Sequence, residues 1–171
     1  MKLGEMNWPD VRNLNKERVV AVYPIASFEQ HGLHLPLLTD TIQLDAMVDG
    51  MDAKIRDHIA CLPTQWLGYS FHHMRFPGSL TARSETHIRV LVETGDGLIE
   101  AGFDKVLVSN GHGGNAADVR VALQELKEMY ADARVYDASW WDVAAPVLDG
   151  IREAGPNGSG HAGEPETSMM L

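Results

Sequence analysis

Val19-Val20-Ala21-Val22-Tyr23-Pro24-Ile25, then, after Ala26, Ser27-Phe28-Glu29-Gln30-His31-Gly32-Leu33-His34-Leu35-Pro36-Leu37-Leu38-Thr39-Asp40, is the stretch that decides how this chain reads. The first run is apolar and reads as a buried strand. The second packs two carboxylates and two imidazoles into fourteen positions where that strand ends. In open α/β sheets the carboxyl ends of strands are where ligands bind. Glu, His and Asp together are the donors that hold a hard or borderline divalent metal. The loop therefore reads as half of a metal site, with later His and Glu clusters supplying the rest.

Outward from there, strands and helices alternate. A helix is expected from Thr41 to Asp57, with Ile42, Leu44, Met47, Met51 and Ile55 at roughly helical spacing. Ile59–Pro63 reads as a second strand. Gln65 to Thr81 is long and irregular, holds aromatics and His72-His73, and reads as a substrate-facing loop. A helix from Ser84 to Gly102 follows, with an acid in its first turn and a glycine at its end. Lys105–Ser109 is a third strand, 116–130 a helix and Arg134–Ala138 a fourth strand. Asp142 is expected to cap a helix to about Glu153, Gly155–Gly160 a loop, and 161–167 the entry to a last helix. This alternation predicts an α/β fold with a parallel sheet covered by helices. Right-handed crossovers gather Glu29, His31, Asp40, His112 and Trp140 at one edge.

The totals exclude some classes. The 171 residues suit one domain, 1–171. Fourteen Lys and Arg against 24 Asp and Glu give a net charge of −10, which disfavours nucleic acid and anionic membranes. The single cysteine, Cys61, cannot form an internal disulfide and fits a reducing cytoplasm. The N-terminus has no apolar signal-like run, and no run is long enough to span a bilayer.

Three clusters carry chemistry. Glu29 and His31, two apart on extended chain, point to one side. Asp40 returns to them after the turn, and a carboxylate bridging two ions is a common device. Asn110-Gly111-His112-Gly113-Gly114-Asn115 lies between a strand and a helix. A phosphate-binding loop is its rival, but it lacks the glycine-lysine pattern of one, and a central histidine suits a metal better. His161-Ala162-Gly163-Glu164-Pro165-Glu166 holds one imidazole and two acids. Glu164 and Glu166 cannot share a helical face, so they invite different roles. Both acids would also sit well at a helix N-terminus for dipole reasons alone.

Together these pieces resemble the creatininase (creatinine amidohydrolase) family. The matching segments are Glu29–Pro36 with Thr39-Asp40-Thr41, Gly68-Tyr69-Ser70 with His72-His73-Met74 and Phe76-Pro77-Gly78-Ser79-Leu80, Asn110–Asn115, Ser139-Trp140-Trp141-Asp142, and His161-Ala162-Gly163-Glu164 with Glu166-Thr167-Ser168, in the family's order. The resemblance is to the broader NGHGGN type rather than to creatininase itself. It implies a three-layer α/β/α fold with a mainly parallel sheet and two divalent metal ions, zinc, manganese or iron. Glu29, Asp40 and His112 match the ligands of one ion, and His31 with a bridging Asp40 those of the second. Creatininase completes its second ion with a glutamate where this chain has Gly114, so Glu164 is expected to take over. His161 and Glu166 match positions tied to proton transfer, with the choice of acid open. Trp140, Trp141, Tyr69 and His73 are expected to line the substrate.

The resemblance also implies homo-oligomers, often hexamers, and chains that continue beyond the helix in which this one stops, so the sequence reads as a fragment with Met169, Met170 and Leu171 exposed. The expectation is a cytoplasmic metal-dependent hydrolase of the C–N bond in a small cyclic or linear amide. The rivals are a metal-assisted hydrolase or isomerase acting on another bond, such as a ring C–C bond of a keto-sugar, and a metal-binding protein without turnover.

Overall fold

The computed structural model describes residues 1–155 and 158–171, so the expected Gly155–Gly160 loop includes two positions, Pro156 and Asn157, that lie outside the described residues. The apolar run forms β1, Val20–Ile25, in the middle of a four-stranded sheet of order β2-β1-β3-β4. The others are β2 (Ile59–Cys61), β3 (Lys105–Asn110) and β4 (Arg134–Ser139), and all three pairings are parallel. A central parallel strand is covered on both faces, which is why β1 is apolar almost without interruption. β4 lies at the edge, and there only Val135 is buried. Pro24 is accommodated because its carbonyl accepts from Gln65 N on the β2 side. Its missing N–H faces the same side, beyond the last β1–β2 pair, Val22 with Cys61.

The side chains of β1 sort by parity. Ala21, Tyr23 and Ile25 join the core under α3 (Ser84–Glu100) and α4 (Ala116–Met129) with Leu91, Val119 and Leu126. Val20 and Val22 face the other way, against Val48 and Met51 of α2 (Thr39–Ile55). Helices on both faces make the three-layer α/β/α arrangement. α3 stops where Gly102 takes φ +94°, which lets its N–H and that of Phe103 turn back on the last carbonyls. A short α1 (Trp8–Asn13) precedes the sheet.

Most boundaries move by one to three residues; α2, for one, starts at Thr39 rather than Thr41 and so takes in Asp40. The helix placed from Asp142 begins at Trp140, so the tryptophan pair belongs to its first turn: α5 is Trp140–Ile151. The last helix, α6, is Glu164–Met169. No helix among the described residues is long and apolar enough to cross a membrane.

The connections fix where function can sit. From β1 the chain moves to β2 on one side, then to β3 and β4 on the other. The order therefore reverses between β1 and β3, and the crevice beyond their carboxyl ends is the topological switch point. The loops carrying Glu29 and His112 leave from those two ends.

Candidate metal centre

Past β1 the backbone stays pinned. Ala26 N donates to Gln65 O and Glu29 N to Leu37 O at 3.0 Å. This buries Glu29 and His31 completely and brings Asp40, in the first turn of α2, beside them. Asp40 accepts a 2.6 Å hydrogen bond from Ser27 Oγ. Its Oδ1 lies 2.9 Å from His31 Nε2 and its Oδ2 3.1 Å from His112 Nδ1. One carboxylate thus serves two imidazoles through different oxygens, the disposition of a bridging group.

Each imidazole is set by its far nitrogen. His31 Nδ1 faces the Glu29 carbonyl at 3.1 Å, and His112 Nε2 faces the Tyr69 carbonyl at 3.0 Å. A backbone carbonyl accepting from one ring N–H leaves the other nitrogen to bind a metal. Asn115 ties the pieces together. Its Nδ2 donates to the carbonyl of Ala26 and its Oδ1 accepts from Tyr69 N. A side chain at Gly68 would collide with Ala26 O and Asn115, so close backbone approach requires glycine there.

Glu29 carries the strongest signal. Both of its carboxylate oxygens are buried and make no hydrogen bond among the described residues. Around them stand His112 Nε2 at 3.4 Å, His161 Nδ1 at 3.4 Å and His73 Nε2 at 3.6 Å. Gln30, which the sequence reading passed over as a site residue, donates through Nε2 toward His73 Nδ1 at 2.7 Å and His161 Nε2 at 2.8 Å. A side-chain amide is not a usual metal ligand or proton carrier, so its residue type gives no signal in the sequence.

Glu164 and Glu166 divide as their spacing demands, but the ligand-like position falls to the other one. Glu166 Oε2 lies 3.8 Å from His31 Nε2 and accepts from Ala162 N. Donor atoms of His31, Asp40 and Glu166 fall within 4.8 Å of one another. The expectation for Glu164 is corrected. Its two oxygens accept from Glu153 N (2.7 Å) and Ala154 N (2.6 Å), which ties down the chain after α5 and takes it away from the cluster. Tyr69 also differs from expectation: it meets the site through its backbone N–H and carbonyl, and its ring is not on the cavity wall. His73, Trp140 and Trp141 are on that wall. His72, expected only as part of a substrate-facing loop, groups with Glu29 and His112, again within 4.8 Å.

The electrostatics divide the cluster. Burial alone would raise the Asp40 carboxyl and lower His31, but their hydrogen bond and that from His112 dominate. Asp40 is held well below the usual carboxylate range, and His31 is raised from 6.5 to about 8. His112 is raised too, because Asp40 and Glu29 outweigh its burial. Burial lifts Glu29 and Glu166. His73 is lowered to about 4 by burial and then by His161, while His161 is lowered by burial and then by His31. At neutral pH His73 is therefore a neutral imidazole and Asp40 a firm anion.

The cluster forms the floor of a cavity of about 620 Å³, walled by Trp140, Trp141, Ala145 and Leu148 of α5. Arg152 is the only lysine or arginine on that wall among the described residues. The fit to divalent metal is good: an orphaned buried carboxylate, a two-faced Asp40, imidazoles anchored by carbonyls, and an adjoining space of small-molecule size.

Comparison with known proteins places the chain in a family. The family model for creatininase, described as creatinine amidohydrolase, matches residues 4–171. The mycofactocin precursor peptide peptidase of Mycobacterium tuberculosis is 32% identical, over 99% of this chain and 64% of its own length. The 3-dehydro-scyllo-inosose hydrolase of Thermotoga maritima is 27% identical, over 97% of this chain and 54% of its own. The chain thus spans less than two thirds of these relatives. A solved mutant creatininase of Zn–Zn type superposes with a TM-score of 0.83 at 24% identity, over 99% of this chain and 71% of its own, which shows a shared fold. With the family's model covering nearly its whole length, this chain belongs to the creatininase family.

Proposed function

We propose that the cluster holds two divalent metal ions and that the protein hydrolyses the C–N bond of a small cyclic or linear amide. The observation that carries this reading is the buried Glu29 carboxylate, neither oxygen of which is hydrogen-bonded among the described residues, ringed by imidazoles at 3.4–3.6 Å. A buried carboxylate without partners is costly, and a cation against it removes that cost. Glu29, Asp40 and His112 would hold one ion; His31, Asp40 and Glu166 the other. Solved creatininases include Zn–Zn and Mn forms, and the donors here suit either metal.

Bound there, the ions supply Lewis acidity toward a carbonyl oxygen and make a water more acidic. The chain's own groups do the rest. Trp140 and Trp141, packed edge to face at 5.7 Å, exclude water and orient a flat substrate. His161 is the proton carrier. It stands above His31 with ring centres 4.4 Å apart, and Gln30 fixes its Nε2. Burial and the neighbouring His31 lower its affinity for protons, so as a neutral imidazole it would take a proton from the attacking water and pass it to the leaving nitrogen.

The relative named for hydrolysis of a keto-inositol supports a second reading, cleavage of a ring C–C bond. Turnover of metal-loaded protein on lactams, formamides, peptide amides and cyclic ketones tests both. Activity confined to the ketones moves the assignment to C–C cleavage, and metal uptake with no turnover anywhere on the panel ends it.

A further inference from the structure

We propose that His72 is a second nitrogen donor, beside His112, for the ion held against Glu29. The proposal rests on the two-metal reading above and adds a residue to it. Three observations place His72 there. First, donor atoms of Glu29, His72 and His112 fall within 4.8 Å of one another. Second, the planes of the His72 and His112 rings are parallel to within 4°, with centres 5.8 Å apart, and both rings border the cavity. Among the described residues His72 makes no hydrogen bond, so its nitrogens are unclaimed, whereas neighbouring His73 is held by Gln30.

The third observation is Gly114. A Cβ there would lie 3.0 Å from His72 Cε1, and well inside 3.0 Å of both Tyr69 O and His112 Nε2. The absence of a side chain at 114 is what lets the 3₁₀ turn Phe71–His73 lean its first imidazole over the metal side of the glycine-rich loop. Any larger residue at 114 would take that space. The turn also separates its two histidines: His72 is directed to His112, and His73 to Gln30 and Glu29. An additional imidazole shifts the donor balance toward nitrogen, which favours zinc or cobalt over manganese.

Cobalt(II) is the probe. His72→Phe and His72→Gln are compared with the wild type by titration against a competing chelator and by proton spectra of the cobalt-loaded proteins. His72 is exposed and hydrogen-bonds nothing, so neither change disturbs the core. The expected result is at least about a tenfold loss of cobalt affinity for one of the two ions. One exchangeable, paramagnetically shifted imidazole N–H signal disappears in both variants while those of His31 and His112 persist. Unchanged affinity with an unchanged set of signals overturns the assignment of His72 and leaves the two-metal reading standing. Wild-type protein that takes up no cobalt overturns both.

Discussion

At the scale of single residues, Glu29 holds the sharpest tension between stability and function. Its buried, unpartnered carboxylate costs folding energy in the absence of metal. Glu29→Gln is therefore expected to stabilise the metal-free protein by about 1 kcal/mol in urea denaturation while weakening metal binding. A variant less stable than wild type in chelator contradicts that account. Protons report on the same centre. His31 is raised from 6.5 to about 8 in the metal-free protein, so its pairing with Asp40 is fully present below about 6.5 and fades as pH rises through about 8. A metal needs the neutral imidazole, so loading at pH 7 displaces protons from His31 and His112, and affinity falls as pH is lowered from 8 toward 6. Calorimetric titration in buffers of different ionisation enthalpy will show proton release; a heat independent of buffer contradicts it. Glu166→Gln is expected to lose the ion shared with His31, whereas Glu164→Gln keeps both, which metal analysis of the two variants decides. That split was beyond sequence reasoning. The spacing shows that 164 and 166 part company, but which one faces the cluster depends on how α6 packs, and no local pattern encodes that.

At the scale of elements, the site is an assembly of loop ends fastened by Asn115. This fully buried amide reaches Ala26 after β1, Tyr69 in the long connection and Asn110 at the end of β3. Asn115→Ala strands several buried polar groups and is expected to cost about 3 kcal/mol in denaturant melts, with a loss of metal affinity from the loosened Tyr69–His112 contact. A change under half of that would mean the loops hold each other without it. The elements themselves were largely legible. The strands follow from apolar runs between breakers, and each observed strand overlaps its expected one. Glu29, His31 and His112 were legible because each follows a strand end, where topology dictates convergence, and Asp40 because the loop from β1 returns it to them at the start of α2. Gln30, His72 and the backbone role of Tyr69 were not. Their parts depend on turn geometry within Gln65–Thr81, a stretch whose sequence shows only that it is irregular. The start of α5 at Trp140 was not legible, because two aromatics at a strand end carry no mark of a first helical turn, whereas Asp142 reads as a cap.

At the scale of the whole molecule, the proposed metal centre would act as a staple. Its donors come from the loop after β1, the first turn of α2, the loop after β3 and α6, so bound metal joins segments far apart in sequence. Metal that binds only the folded chain at 100 times its dissociation constant stabilises by about 2.7 kcal/mol per site. Thermal melts are therefore expected to move several degrees downward in EDTA and recover on adding zinc or manganese; melts indifferent to both contradict a staple. α5 is the counterpart: it walls the cavity with Trp140, Trp141 and Leu148 yet buries no residue, with Val143 and Ile151 exposed at 71% and 68%. The buried half of the site thus lies in the sheet and its loops. The most direct test is elemental analysis of protein purified without chelator, beside Asp40→Ala. The account predicts about two transition-metal ions per chain in the wild type and loss of both in the variant, since Asp40 faces each imidazole with a separate oxygen. Wild-type protein that stays metal-poor after reconstitution, or a variant that keeps both ions, contradicts it.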